Sequence, residues 1–138
     1  MPCFFEVVIM MESVEKMMND LVELLEGKIA ALEKIHELTL KQKEDIKNNQ
    51  GDNINGFIDK KQVEIDKINV IDEDFANTVK KLKLELDIES LEQVDTDRFP
   101  QMKVMRVKIE EILSLGNDIM KLEEYNKDKI IEIIDKVV

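Results

Sequence analysis

The side chains with the clearest capacity for chemistry are Glu33 and His36, in the run Glu33-Lys34-Ile35-His36. Glu and His three residues apart share a helix face and match the pairs that hold two metal ions inside helical bundles. Such a centre takes a second pair of the same kind and two further inward glutamates. His36 is the sole histidine, so one chain cannot complete it. The expectation is no metal and no cofactor, with His36 solvated beside a helical seam. Cys3 is the second candidate. A nucleophilic thiol needs an electropositive setting and a nearby base, whereas Cys3 lies in an apolar run with no histidine near it. As the only cysteine it forms no internal disulfide, which fits a reducing compartment. There is no Gly-rich phosphate loop, no Gly-x-Ser-x-Gly and no ligand cluster. The many carboxylates read as solvated helix faces. No catalytic residue is assigned, and the expectation is a binding protein without enzymatic activity.

The elements that carry these residues are helices. Of the 138 residues, 37% are charged and 4% aromatic, and Gly and Pro together number six. That leaves too few turn residues for a sandwich or barrel. Glu, Lys, Leu and Ile with few breakers make long helices and coiled coils. An apolar fraction of 43% sets the chain apart from disordered segments. The net charge of −11 argues against nucleic acid and against an anionic bilayer surface. The expected class is all-α: an elongated antiparallel hairpin plus a long third helix, packed as a coiled-coil-like three-helix bundle. The expected location is the cytoplasm.

The apolar run Met1–Met10 lacks the basic flank and cleavage site of a signal peptide and is too short to span a bilayer. Residues 1–11 read as an extension, either docked on the bundle or upstream of a natural start at Met10 or Met11. Helix 1 is predicted over 12–49, with Ser13 as N-cap. Its seam is Val14, Met18, Leu21, Leu25, Lys28, Leu32, Ile35, Thr39, Gln42 and Ile46. Residues 48–53 form a turn in which Gly51 supplies a left-handed residue and Asp52 or Asn53 caps the next helix. A short turn between long helices makes them antiparallel. Helix 2 is predicted over 53–86, with Ile54, Phe57, Ile58, Lys61, Ile65, Ile68, Asp72, Phe75, Val79, Leu82 and Leu86 inward. The pattern loosens from Asp87 to Phe99. Helix 3 is predicted over 100–138, opening on Pro100, and the whole chain reads as one helical domain. Methionines such as Met17 and Met18 fit ordinary core positions.

Helix 3 has more apolar surface than its bundle needs. Its seam is Met105, Ile109, Ile112, Gly116, Ile119, Glu123, Asn126, Ile130, Ile133 and Val137. A second face carries Leu113, Met120, Ile131, Ile134 and Val138. A surplus stripe must be covered by something. One reading is self-association or a wider bundle stripe, and the other is a face that receives a partner's amphipathic helix. Asn126, polar and on the seam, is the kind of residue that fixes register at a cost in stability. Tyr125 beside it suits a half-buried site.

The succession of short motifs has a further reading. Lys41-Gln42-Lys43-Glu44-Asp45-Ile46 and Gly51-Asp52 close the first helix. Lys60-Lys61-Gln62-x-x-Ile65 and Ile71-Asp72-x-x-Phe75 follow in the second, and Ile119-x-x-Leu122-Glu123-x-x-Asn126 in the third. In order and spacing, from about Glu12 onward, they resemble the FlgN family of flagellar export chaperones in its divergent Gram-positive form. Met1–Met10 has no counterpart in that pattern. The resemblance implies a hairpin with a long third helix. It also implies binding of the C-terminal helical segments of hook–filament junction proteins, and delivery to the type III export gate. The C-terminal helix would bind the client, through Leu113, Met120, Ile131, Ile134 and Val138. The rival readings are a structural coiled coil that oligomerises through helix 3 and a related secretion chaperone resembling FliT.

Overall fold

The computed structural model describes residues 3–137. It is 88% helical, an all-α three-helix bundle with no strand among the described residues. Helix α1 spans Phe4–Asn49, α2 Ile54–Leu86 and α3 Gln101–Val137, and a short 3-10 turn covers Leu91–Gln93.

α1 is the spine, since α2 and α3 each pack along it while their own backbones barely approach one another. Side-chain pairs fix the directions. Lys28 meets Asp72, and Asn53 meets Asp45, so α2 runs antiparallel to α1. Glu26 meets Lys108, and Thr39 meets Asn126, so α3 runs parallel to α1. At 1.5 Å per residue, the 46 residues of α1 extend roughly 70 Å.

α1 begins eight residues before the predicted start. Ser13 is therefore inside the helix and caps nothing. From Phe4 the apolar run is the first part of α1 itself rather than a separate segment. Phe4 and Phe5 are largely exposed, because α2 ends opposite Val14 and leaves the first turns of α1 with few neighbours. A helix nucleated further along extends at small cost per residue, and with no Gly or Pro from Phe4 to Ser13 that outweighed the capping signal at Ser13.

The hairpin turn holds two left-handed residues where the sequence suggested one. Gln50 has φ 56° and Gly51 φ 82°. A Cβ on Gly51 would also sit 3.0 Å from Cδ1 of Ile130, so this glycine is required twice over. Asn53 precedes α2 but its side chain does not cap it. Instead the buried Asp45 carboxylate accepts the Asn53 backbone N–H at 3.1 Å and its side-chain amide at 2.8 Å. Asp45 thus ties the turn to the end of α1 and satisfies donors that would otherwise be free.

The dense core lies at the opposite end. Val14, Met18, Leu21 and Leu25 of α1 meet Leu82 of α2 and Met102 and Met105 of α3. The crossover 87–100 closes this end by inserting Val94 and Phe99, with Ile88 and Leu91 packed behind. Ser90 and Gln93 form a reciprocal capping box that fixes the 3-10 turn. Leu82 is the one apolar side chain of α2 that is buried outright. Leu82→Ala should therefore lower stability by about 2–5 kcal/mol. The exposed Val70→Ala should change it by less than about 0.5 kcal/mol. Paired urea unfolding curves check both, and equal midpoints would contradict this placement of the core.

Candidate helix-docking site

Towards the hairpin turn the bundle opens. Because α2 and α3 stand apart, their facing flanks leave a mainly apolar groove of about 530 Å³ floored by α1. Leu32 and Ile35 form the floor. Ile58, Ile65 and Ile68 form the α2 wall, and Gly116 and Ile119 the α3 wall. Ile58 and Ile65, expected inside, are 48% and 40% exposed, and Ile109 is 41% exposed. Periodicity placed them on the correct faces, but the neighbour that would cover those faces stands too far away.

A polar layer crosses the groove floor and links all three helices. Lys61, 7% exposed, pairs its ammonium with the Glu123 carboxylate. It also donates to Gln42 Oε1 at 2.6 Å. Thr39 Oγ1 donates to the Ile35 carbonyl at 2.7 Å and lies 3.3 Å from Glu123. Asn126, 2% exposed, donates through Nδ2 to the Thr39 carbonyl at 3.2 Å. The seam position of Asn126 was legible in the sequence. Lys61 and Glu123 were placed on seams, but their pairing was not.

Of the second face of α3, Leu113 is 63%, Met120 68%, Ile131 45% and Ile134 53% exposed. Val138 lies outside the described residues. The row Ile109, Leu113, Gly116, Met120, Glu123 advances by alternating steps of four and three, so it keeps to one flank of the helix. Gly116 and Glu123 of that row line the groove. Leu113 and Met120 therefore border its α3 rim. Ile131 and Ile134 continue the line past the level of the hairpin turn, where Ile130 meets Gly51.

Gly116 is the one lining residue with no side chain. Within a helix interior it is worth about 1 kcal/mol less than Ala. The rim beside the groove is acidic. Asp59, Asp66 and Glu73, seven residues apart on α2, and Glu110, Glu124 and Asp128 on α3 are exposed beside the apolar rows, against Arg106, Lys121 and Lys127. Asp66 also accepts from the Gln62 amide at 2.8 Å.

The other flank of α3 is electrically opposite. Tyr125, 45% exposed, has the ammonium groups of Lys43 and Lys129 at 4.6 and 5.5 Å from its ring centroid. With Lys47, Lys136, Glu132, Ile46 and Ile133 these residues line a pocket of about 310 Å³ between α1 and α3. Elsewhere on α1, the exposed Glu37 is held below the ordinary carboxylate range by a hydrogen bond from Lys41, with Lys34 adding to the effect.

Glu33 is exposed and His36 half-buried. Among the described residues, no three His, Cys, Asp or Glu side chains gather as metal ligands. Cys3 is a free, exposed thiol just before α1. No helix among the described residues is long and apolar enough to cross a membrane.

An open-ended apolar groove along a three-helix bundle is the type of surface that can receive an amphipathic helix. The sequence model of the family described as FlgN protein matches residues 17–136. The chain therefore belongs to the FlgN family, the flagellar export chaperones that bind flagellar proteins during assembly. Comparisons with curated proteins and with solved structures found no match.

The polar layer makes an asymmetric prediction. Glu123→Ala leaves the buried Lys61 ammonium without a counter-charge and should cost about 3 kcal/mol. Lys61→Met fills the same space with apolar atoms and leaves Glu123, whose side chain is 42% exposed, free to meet water. It should cost less than about 1.5 kcal/mol. Chemical denaturation of the two variants tests this, and a larger loss in Lys61→Met would contradict it.

Proposed function

We propose that this chaperone holds the C-terminal helical segment of a hook–filament junction protein in the cytoplasm and hands it to the type III export gate. It acts by binding, without catalysis. The client helix lies along the second face of α3, over Leu113, Met120, Ile131 and Ile134, with Val138 assigned to the same face from its spacing. The observation that carries this reading is the exposure of four large apolar side chains on one flank of α3, Leu113 and Met120 beside the groove and Ile131 and Ile134 beyond it, with Glu124 and Lys127 between the two pairs. From Leu113 to Ile134 that flank runs about 32 Å, the length of a helix of some twenty residues. An apolar face of this extent in water is a liability unless a partner covers it. A second copy is the rival occupant, and a net charge of −11 on each copy opposes it.

The test is a paired measurement of melting and of binding to a peptide from the C-terminal segment of a junction protein. Full burial of an isoleucine is worth about 1.5–3 kcal/mol, and Ile131 and Ile134 are each already about half covered. Replacing both with Ser should weaken binding by about 10- to 100-fold and leave the melting temperature nearly unchanged. Ile130 and Ile133 are more covered, and Ile130 packs on the hairpin turn. Replacing those two with Ala should lower stability by about 2–4 kcal/mol. An Ile131/Ile134 variant that melts early while its folded fraction binds normally would show that this face belongs to the core.

A further inference from the structure

Gly116 has none of the usual reasons to be glycine. Its φ is not in the left-handed region, and a Cβ built on it meets nothing within 4 Å. It lies well inside α3, where glycine weakens a helix. Gly51 and Gly27 differ: Gly51 needs its positive φ, and a Cβ on Gly27 would press on Cδ1 of Ile71 at 3.3 Å. What the missing side chain at Gly116 does is deepen the groove, between Ile68 of α2 and Ile119 of α3.

We propose that Gly116 is the crossing point for a client helix in the α2–α3 groove. The occupant is an amphipathic helix of a partner protein. It lodges one large apolar side chain over Gly116, against Ile65, Ile68 and Ile119, and presents Lys or Arg on its flanks. Charge complementarity selects this occupant: the exposed rim holds Asp59, Asp66, Glu73, Glu110, Glu124 and Asp128 against Arg106, Lys121 and Lys127. A second copy of this acidic chain would meet like charge there. The proposal rests on the client-binding reading above and extends the site from α3 alone to α2 and to a position with no side chain.

The test uses the full chain and a labelled junction-protein C-terminal peptide, with melting and sedimentation measured in parallel. Gly116→Leu fills the open space and should weaken peptide binding at least 30-fold, with the melting temperature unchanged or raised. Gly116→Ala should weaken it only a few-fold. Gly56, which also has open space around it but does not line the groove, is the control, and Gly56→Leu should bind normally. Converting Asp59 and Asp66 together to Lys should weaken binding about tenfold. Normal binding by Gly116→Leu, alongside lost binding in the Ile131/Ile134 variant, would overturn the groove proposal and leave the client-binding reading standing. Failure of the unmodified chain to bind the peptide would overturn both. Early melting of Gly116→Leu would show that the fold itself needs the glycine. A dimer of the unmodified chain that Gly116→Leu abolishes would identify the occupant as a second copy. Either result would overturn the proposal.

Discussion

The buried stripe of α1 has to serve two neighbours at once. A helix in a bundle commonly buries one face against its partners, and those partners in turn cover each other. Here α2 and α3 both lean on α1 and their backbones scarcely approach each other. Twelve residues of α1 are buried, but only Lys61 and Leu82 of α2. The crossover makes up the deficit at one end by pushing Val94 and Phe99 between the helices. At the hairpin end nothing comparable is inserted, and the facing flanks of α2 and α3 stay open. The groove is thus a consequence of how apolar residues are shared along the rod.

What keeps that open end in register is polar. Lys61, Gln42, Glu123, Thr39 and Asn126 bring one hydrogen-bonded layer from every helix to the same height. Apolar contacts tolerate sliding by a turn, whereas a buried ammonium or amide displaced from its partner is left unsatisfied. The layer therefore sets the alignment where packing is thin. It leaves the groove walls above it apolar and open.

Much of this was readable in the residues. The four-and-three spacing of Val14, Met18, Leu21 and Leu25 located the spine, and Asn48–Asn53 located the turn. Asn126 stood out as a polar seam residue and is buried against α1. The surplus face of α3 was visible because apolar residues outnumbered the positions one stripe can hold. Other features escaped for physical reasons. Periodicity reports which face of a helix is apolar but not whether a neighbour reaches it, so Ile58 and Ile65 read as core. Ser13 looked like a cap because capping signals are local, while helix propagation into Phe4–Met11 depends on the long helix behind it. The capping role of Asp45 gave no signal, since two of its three acceptor bonds reach a residue eight positions away. Gly116 read only as a seam position, because an empty space is defined by atoms from another helix.

The parallel arrangement of α1 and α3 has one more consequence. Each helix carries a partial negative charge at its carboxyl end, equivalent to about half an electron charge. Two parallel helices bring two such ends to the same pole of the rod, and the start of α2 offsets only one of them. In a chain already at −11, that pole would repel its own backbone carbonyls and its own carboxylates. Lys47 and Lys136, in the last turns of α1 and α3, stand at that pole. These two lysines supply counter-charge where two helix dipoles converge, which favours two aligned helices ending side by side.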